Sequence, residues 1–227
     1  MLSVPTGEGA FMHTPTHFMQ TLERTRIIAV VRGSTPDQIH DVVAALVDGG
    51  IELIEITANT PAVTEQLRSV TASFGDAVTL GAGTVLDAET AGRVLEAGAT
   101  FLVTPTVTPA VIRAARRFGV PVIPGAYTPT EVLEAAQAGA TAVKVFPAGT
   151  GGPAHLSAIG GPLPQVPLIP TGGVTPANAG AFIEAGAVGV GVGSGLVDLA
   201  AVEAGEPERI TATAEALRSA VGLEGRG

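Results

Sequence analysis

Cysteine is absent from the 227 residues, which excludes disulfides and thiolate metal sites and leaves the redox compartment open. Positive charge is scarce. Twelve Lys and Arg stand against 21 Asp and Glu, a net charge of −9 with no basic run, so a nucleic-acid partner is not expected. No apolar run reaches membrane-spanning length without glycine or charge, so no membrane partner is expected either. The N-terminal stretch lacks the basic-then-apolar layout of a secretory signal, and a cytoplasmic location is the expectation. His13, His17, His40 and His155 have no close pairing with carboxylates, which gives a metal centre little support. What the chain has is apolar bulk. It is 46% hydrophobic and 15% charged with a mean hydropathy of +0.42, enough for the core of one sizeable domain and contrary to disorder.

Lysine is the most telling shortage. Lys144 is the single lysine, and it sits within Ala142-Val143-Lys144-Val145-Phe146-Pro147, a run that reads as a buried strand. An amine in apolar surroundings loses stability as a cation, so its pKa falls and a neutral nucleophile becomes available. Schiff-base lysines are made this way. Two bland readings stand beside it: this chain uses Arg for nearly all its positive charge, and a strand lysine can snorkel to a rim.

A strand-then-helix module repeats along the chain. Its helices are expected to end at Gly49, Gly75, Gly98, Gly119, Gly139, Gly161 and Gly186, at intervals of 26, 23, 21, 20, 22 and 25 residues. Expected strands are Ile27–Val31, Ile51–Ile56, Val78–Leu80, Thr100–Val103, Val120–Ile123, Thr141–Val145, Val166–Ile169 and Val188–Val190. Thr-Pro pairs at Thr35, Thr60, Thr108, Thr128 and Thr175 read as helix caps followed by proline at the first helical position. Thr35 with Gln38 and Thr128 with Glu131 add the capping-box spacing. Eight such units suit a parallel (β/α)₈ TIM barrel, a single α/β domain over residues 14–222. It opens with a helix from Thr14-Pro15 and closes with one from about Glu208 to Ala220, and residues 1–13 form a loose arm. An open doubly wound sheet is the competitor, but Arg32-Gly33-Ser34 after the first strand is not a dinucleotide fingerprint.

Barrels carry their chemistry at the C-terminal strand ends. There the sequence places Arg32, Glu55, Asn59, Thr84, Pro105, Lys144, Phe146, Thr171 and two glycine loops, Gly172-Gly173 and Gly193-Ser194. Glycine loops let backbone amides approach an anion, and loops after the seventh and eighth strands are where barrels bind phosphate; tight turning is the plainer explanation. Glu55 shares a strand face with Ile51 and Leu53, so it is either a general base or a structural ion-pair partner. Arg32 suits a carboxylate or phosphate, or a rim ion pair to Glu55 or Asp37. Thr84 and Thr171 donate either to substrate or to nearby backbone.

Several segments together resemble a known family. Gly50-Ile51-Glu52-Leu53-Ile54-Glu55-Ile56-Thr57, Gly81-Ala82-Gly83-Thr84-Val85-Leu86, Val103-Thr104-Pro105, Ile123-Pro124-Gly125, Val143-Lys144-Val145-Phe146-Pro147-Ala148 and Pro170-Thr171-Gly172-Gly173-Val174 follow the order seen in 2-keto-3-deoxy-6-phosphogluconate (KDPG) aldolases and their 6-phosphogalactonate relatives. The resemblance implies a class I aldolase, with Lys144 as Schiff-base lysine and Glu55 as general acid/base. It implies substrate contacts from Arg32, Asn59, Thr84, Pro105, Phe146 and Thr171, and phosphate contacts from Gly172, Gly173, Gly193 and Ser194. It further implies a phosphorylated keto-acid substrate, a homotrimer, and no metal or cofactor. Asn59 stands where the gluconate-specific pattern has arginine, which looks like the galactonate-type loop. The C4 epimer and any use of 4-hydroxy-2-oxoglutarate stay open. A phosphate-binding barrel isomerase or synthase without imine chemistry is the alternative.

Overall fold

The computed structural model describes residues 14–223, and the arm expected over residues 1–13 lies outside them. The chain opens with α1 (Pro15–Thr25) and then alternates: β1 (Ile27–Val31), α2 (Ile39–Asp48), β2 (Leu53–Thr57), α3 (Val63–Phe74), β3 (Thr79–Gly83), α4 (Ala88–Glu96), β4 (Leu102–Val103) and α5 (Pro109–Phe118). Next come β5 (Val122–Ile123), β6 (Gly125–Ala126), α6 (Pro129–Ala138), β7 (Val143–Val145), α7 (Ala148–Gly160), β8 (Leu168–Pro170), α8 (Ala179–Glu184), β9 (Val190–Val192), α9 (Leu199–Glu203) and α10 (Glu208–Ala220).

All strand pairs are parallel. They form a six-stranded sheet, β5-β4-β3-β2-β1-β9, and a three-stranded sheet, β6-β7-β8, rather than one continuous ladder. The fifth expected strand, Val120–Ile123, is followed past Pro124 by a second strand segment that was not expected, and the run has two halves because Pro124 has no N–H to donate. Its two halves pair with different neighbours, β5 with β4 and β6 with β7. The Pro124 carbonyl still accepts from the Lys144 amide at 2.9 Å. At the other margin a single parallel bridge, Thr171 to Gly191, joins the two sheets.

Most strands begin about two residues later than the apolar runs suggest. The reason lies in the helix ends. The amides of Ile51, Ala99, Val120, Ala140 and Ala187 each donate back five residues, to Leu46, Val94, Ala115, Ala135 and Phe182. This is the bond that closes a Schellman turn, so the first apolar residue after the glycine completes the helix before the strand starts. Two expected glycine stops differ. Gly50, at φ 78°, takes the left-handed turn in place of Gly49, and Gly161 stays right-handed at φ −52°.

Caps behave as expected at Thr14, which accepts from the His17 amide, and at Thr128, where the capping box with Glu131 is complete. Thr35 and Gln38 exchange the reciprocal pair of bonds, although α2 begins only at Ile39. Thr60 does not cap a helix: α3 starts at Val63 behind a left-handed Ala62. At Thr175 the amide is held by Asn178, which itself precedes α8.

The main core joins outward strand faces to the helices, through residues such as Val31, Leu46, Ile54, Leu67, Val94, Ile112 and Phe182. A second cluster holds inward strand residues Ile28, Leu53, Phe101, Val103, Ile123, Ala142 and Ile169. Phe18 and Leu22 of α1 pack into it, with the Phe18 and Phe101 rings 5.0 Å apart between centroids. Burying each such large side chain is worth about 1.5–3 kcal/mol, which fixes α1 across the N-terminal end of the strands. Above this apolar floor, the same inward strand faces carry Glu55 and Lys144.

Candidate active site

Lys144 is 6% exposed, in the middle of β7. Its Nζ lies 5.0 Å from the centroid of the Phe146 ring, a cation–π contact. Glu55 is 2% exposed in the middle of β2, and its Oε1 is buried with no hydrogen-bond partner among the described residues. The two side chains line the same small internal void with Thr171, without forming an ion pair. Space for the carboxylate exists because position 83 is glycine: a Cβ there would overlap Glu55.

Burial moves both groups toward neutrality. It raises the Glu55 carboxyl above its ordinary value, against the pull of the Lys144 and Arg32 charges. It lowers the Lys144 amine, Glu55 draws it partly back, and Arg32 lowers it further. An amine whose neutral form is favoured, beside a carboxyl that can take up and give back a proton, is the pairing that carbonyl addition and proton transfer require.

Above the pair opens a cavity of about 660 Å³. Lys144, Phe146, Pro105 and Thr171 line one part, Arg32 and Thr84 another, and Gly172, Gly173, Gly193 and Ser194 a third. Arg32 has no carboxylate partner among the described residues, which removes the rim ion pair to Glu55 or Asp37. Its guanidinium instead donates to Asn59 Oδ1 at 2.9 Å and Thr84 Oγ1 at 3.1 Å. Both acceptors are neutral, so the positive charge is left available to an anion. Asn59 thus joins the site through Arg32 rather than by lining the cavity. Thr84 holds a left-handed backbone at φ 56°, a conformation that costs a non-glycine residue roughly 1 kcal/mol or more.

The first glycine loop is a tight left-handed turn at the cavity wall. Gly172 and Gly173 both sit at positive φ, 84° and 81°, and a Cβ on Gly173 would press on the Gly149 backbone. Asn178 steadies this turn, donating to the Gly173 carbonyl at 2.9 Å and accepting from the Thr175 amide at 2.8 Å.

The expected site residues therefore converge, Glu55 beneath the cavity and Asn59 at its edge. Sequence reasoning missed Asn178. It also assigned Thr60 to capping, whereas Thr60 Oγ1 accepts from the Gly33 amide at 3.0 Å and ties the β1 loop to the β2 loop. Among the described residues no cluster of His, Asp or Glu could hold a metal ion, and no helix is long and apolar enough to cross a membrane.

The family model for KDPG and KHG aldolases matches residues 18–213. The chain belongs to this aldolase family. It is similar to the 2-dehydro-3-deoxy-6-phosphogalactonate aldolase of Escherichia coli (strain K12), 38% identical over 179 residues, which is 78% of this chain and 87% of that protein. The 2-dehydro-3-deoxy-phosphogluconate aldolase of Treponema pallidum (strain Nichols) is 36% identical over 208 residues, 90% of this chain and 97% of that protein. Among solved structures, the KDPG aldolase of Legionella pneumophila superimposes with a TM-score of 0.80 at 30% identity, covering 90% of this chain and 98% of that one. That crystal structure contains pyruvate captured at low pH as a covalent carbinolamine intermediate.

Proposed function

We propose that this aldolase cleaves 2-keto-3-deoxy-6-phospho sugar acids to pyruvate and glyceraldehyde 3-phosphate through an imine on Lys144. The observation that carries the reading is the pairing of a buried, pKa-lowered amine with a buried, pKa-raised carboxyl under one cavity. Covalent capture of pyruvate in the Legionella relative supports it.

In this mechanism neutral Lys144 attacks the C2 ketone to give a carbinolamine, which loses water to form a protonated imine. Glu55, directly or through a water, takes the proton of the C4 hydroxyl. The C3–C4 bond then breaks, its electron pair moves into the imine as an enamine, and the aldehyde leaves. The enamine regains a proton at C3, and water hydrolyses the imine to pyruvate and free Lys144. Arg32, with Asn59 and Thr84 behind it, holds the substrate carboxylate. Pro105, Phe146 and Thr171 pack the keto-acid end. The amides around Gly172, Gly173, Gly193 and Ser194 take the phosphate, so binding at the remote end fixes the reacting carbons.

The two sheets belong, in this reading, to one closed eight-stranded barrel spanning residues 14–222. The continuous run through Pro124 and the Thr171–Gly191 bridge support closure at both margins. The assembly is a homotrimer, which light scattering would test. A cytoplasmic location fits substrates whose phosphate charge keeps them from crossing membranes.

Borohydride reduction in the presence of pyruvate tests the chemistry. The expected result is one pyruvyl adduct on Lys144, absent in Lys144→Ala. An active wild-type enzyme that gains no adduct would instead favour a phosphate-binding barrel isomerase or synthase without imine chemistry. Turnover of both C4 epimers, measured side by side, assigns the substrate configuration.

A further inference from the structure

Arg32 and Asn59 are both exposed, on two different loops, yet they must meet at one point of the cavity. A long exposed side chain keeps a fixed direction only if the backbone at its root is fixed. One side chain of α3 bonds close to both roots. Gln66 is 1% exposed, and its amide makes three hydrogen bonds. Oε1 accepts from Ser34 Oγ at 2.8 Å, while Nε2 donates to the Ser34 carbonyl at 2.8 Å and to the Pro61 carbonyl at 2.9 Å. Ser34 is two residues beyond Arg32, and Pro61 is two beyond Asn59. Between them Thr60 Oγ1 accepts from the Gly33 amide and contacts Thr57 Oγ1 at 3.0 Å.

We propose that Gln66 is a positioning residue for substrate binding: its buried amide clamps the β1 and β2 loops together and thereby aims Arg32, on its Asn59 rest, at the substrate carboxylate. The proposal rests on the aldolase reading of the site. Gln66 lines neither the cavity nor the void at Lys144, so its effect on substrate comes through the loops that carry Arg32 and its Asn59 rest. A buried amide with three of its four bonding positions filled is a rigid joint, because each bond lost leaves a buried group unpaired. Were only core filling needed, an apolar residue on this helix face would serve, without bonds to two loops.

The test is a double-mutant cycle of Gln66→Met with Arg32→Ala, read by steady-state kinetics on a 2-keto-3-deoxy-6-phospho acid. Methionine keeps the volume and removes all three bonds. The expected KM rise for Gln66→Met is about ten-fold, the scale at which outer partners act on the ligands they orient. kcat should change much less, and the pyruvate adduct on Lys144 should persist. In the Arg32→Ala background Gln66→Met should add no further rise in KM. Ser34→Ala, which removes only one of the three bonds, should give a smaller rise that also vanishes in that background. Independent, multiplying effects would overturn the clamp, as would a lower Tm with an unchanged KM in both Gln66→Met and Ser34→Ala. Absence of a wild-type pyruvate adduct would overturn the imine reading instead, and the clamp with it.

Discussion

Replacing Glu55 by Gln should stabilise the fold increasingly as pH rises from mildly acid to neutral, while lowering turnover. The carboxyl is 2% exposed and one of its oxygens has no partner. Burial raises its pKa above the ordinary 4.5, so the folded state binds the proton more tightly than the unfolded chain does. The stability this brings is complete below the unfolded value. It is lost as pH rises through the folded value, because an ionised carboxylate must then stay buried. Glutamine does not titrate. The stability difference between variant and wild type should therefore open from near pH 4.5 by up to about 1.4 kcal/mol per pH unit, then level off. For a chain of this size that is roughly 3–6 °C in Tm per pH unit. Calorimetric melts from about pH 4.5 to 7 measure it. In a Lys144→Met background the opening should extend to higher pH, because the cation that opposed the shift is gone. Parallel Tm curves for the two proteins would refute the argument, since they would mean a carboxyl with the same pKa folded and unfolded.

Two further outcomes follow from the glycine turn and the caps. Gly173→Ala places a Cβ at φ 81° against the Gly149 backbone, so KM for the phosphorylated substrate should rise at least ten-fold while pyruvate trapping on Lys144 persists; equal loss of both would contradict a phosphate role. Thr128→Ala removes one side of the capping box on α6 and should cost about 1 kcal/mol, a Tm drop of roughly 2–4 °C, with KM unchanged.

The repeating module was legible because glycine stops and apolar runs are local signals. Gly119, Gly139 and Gly186 end helices in the left-handed region, as their positions suggest. The two-residue offset of most strands was not legible, because a residue such as Ile51 looks equally apolar whether it finishes a turn or begins a ladder. The interruption at Pro124 was present in the sequence, but which neighbour each half would pair with depends on long-range contacts. The site was readable to the extent that it consists of odd residues on regular strands: a lone lysine and an inward glutamate. The joints behind it were not. Gln66 reads as one more polar residue of an amphipathic helix, and Thr60 as one more Thr-Pro cap, until the loops they bind are brought beside them.

The helix packed across the N-terminal end of the strands has a kinetic consequence. With Phe18 and Leu22 stoppering that end, the catalytic hollow is a cul-de-sac. Reactant, aldehyde and hydrolytic water must share one doorway, so the departing three-carbon phosphate vacates the path that water then takes. In the proposed mechanism release is ordered, aldehyde first and keto acid last, because the keto acid stays bonded to Lys144 until that water arrives.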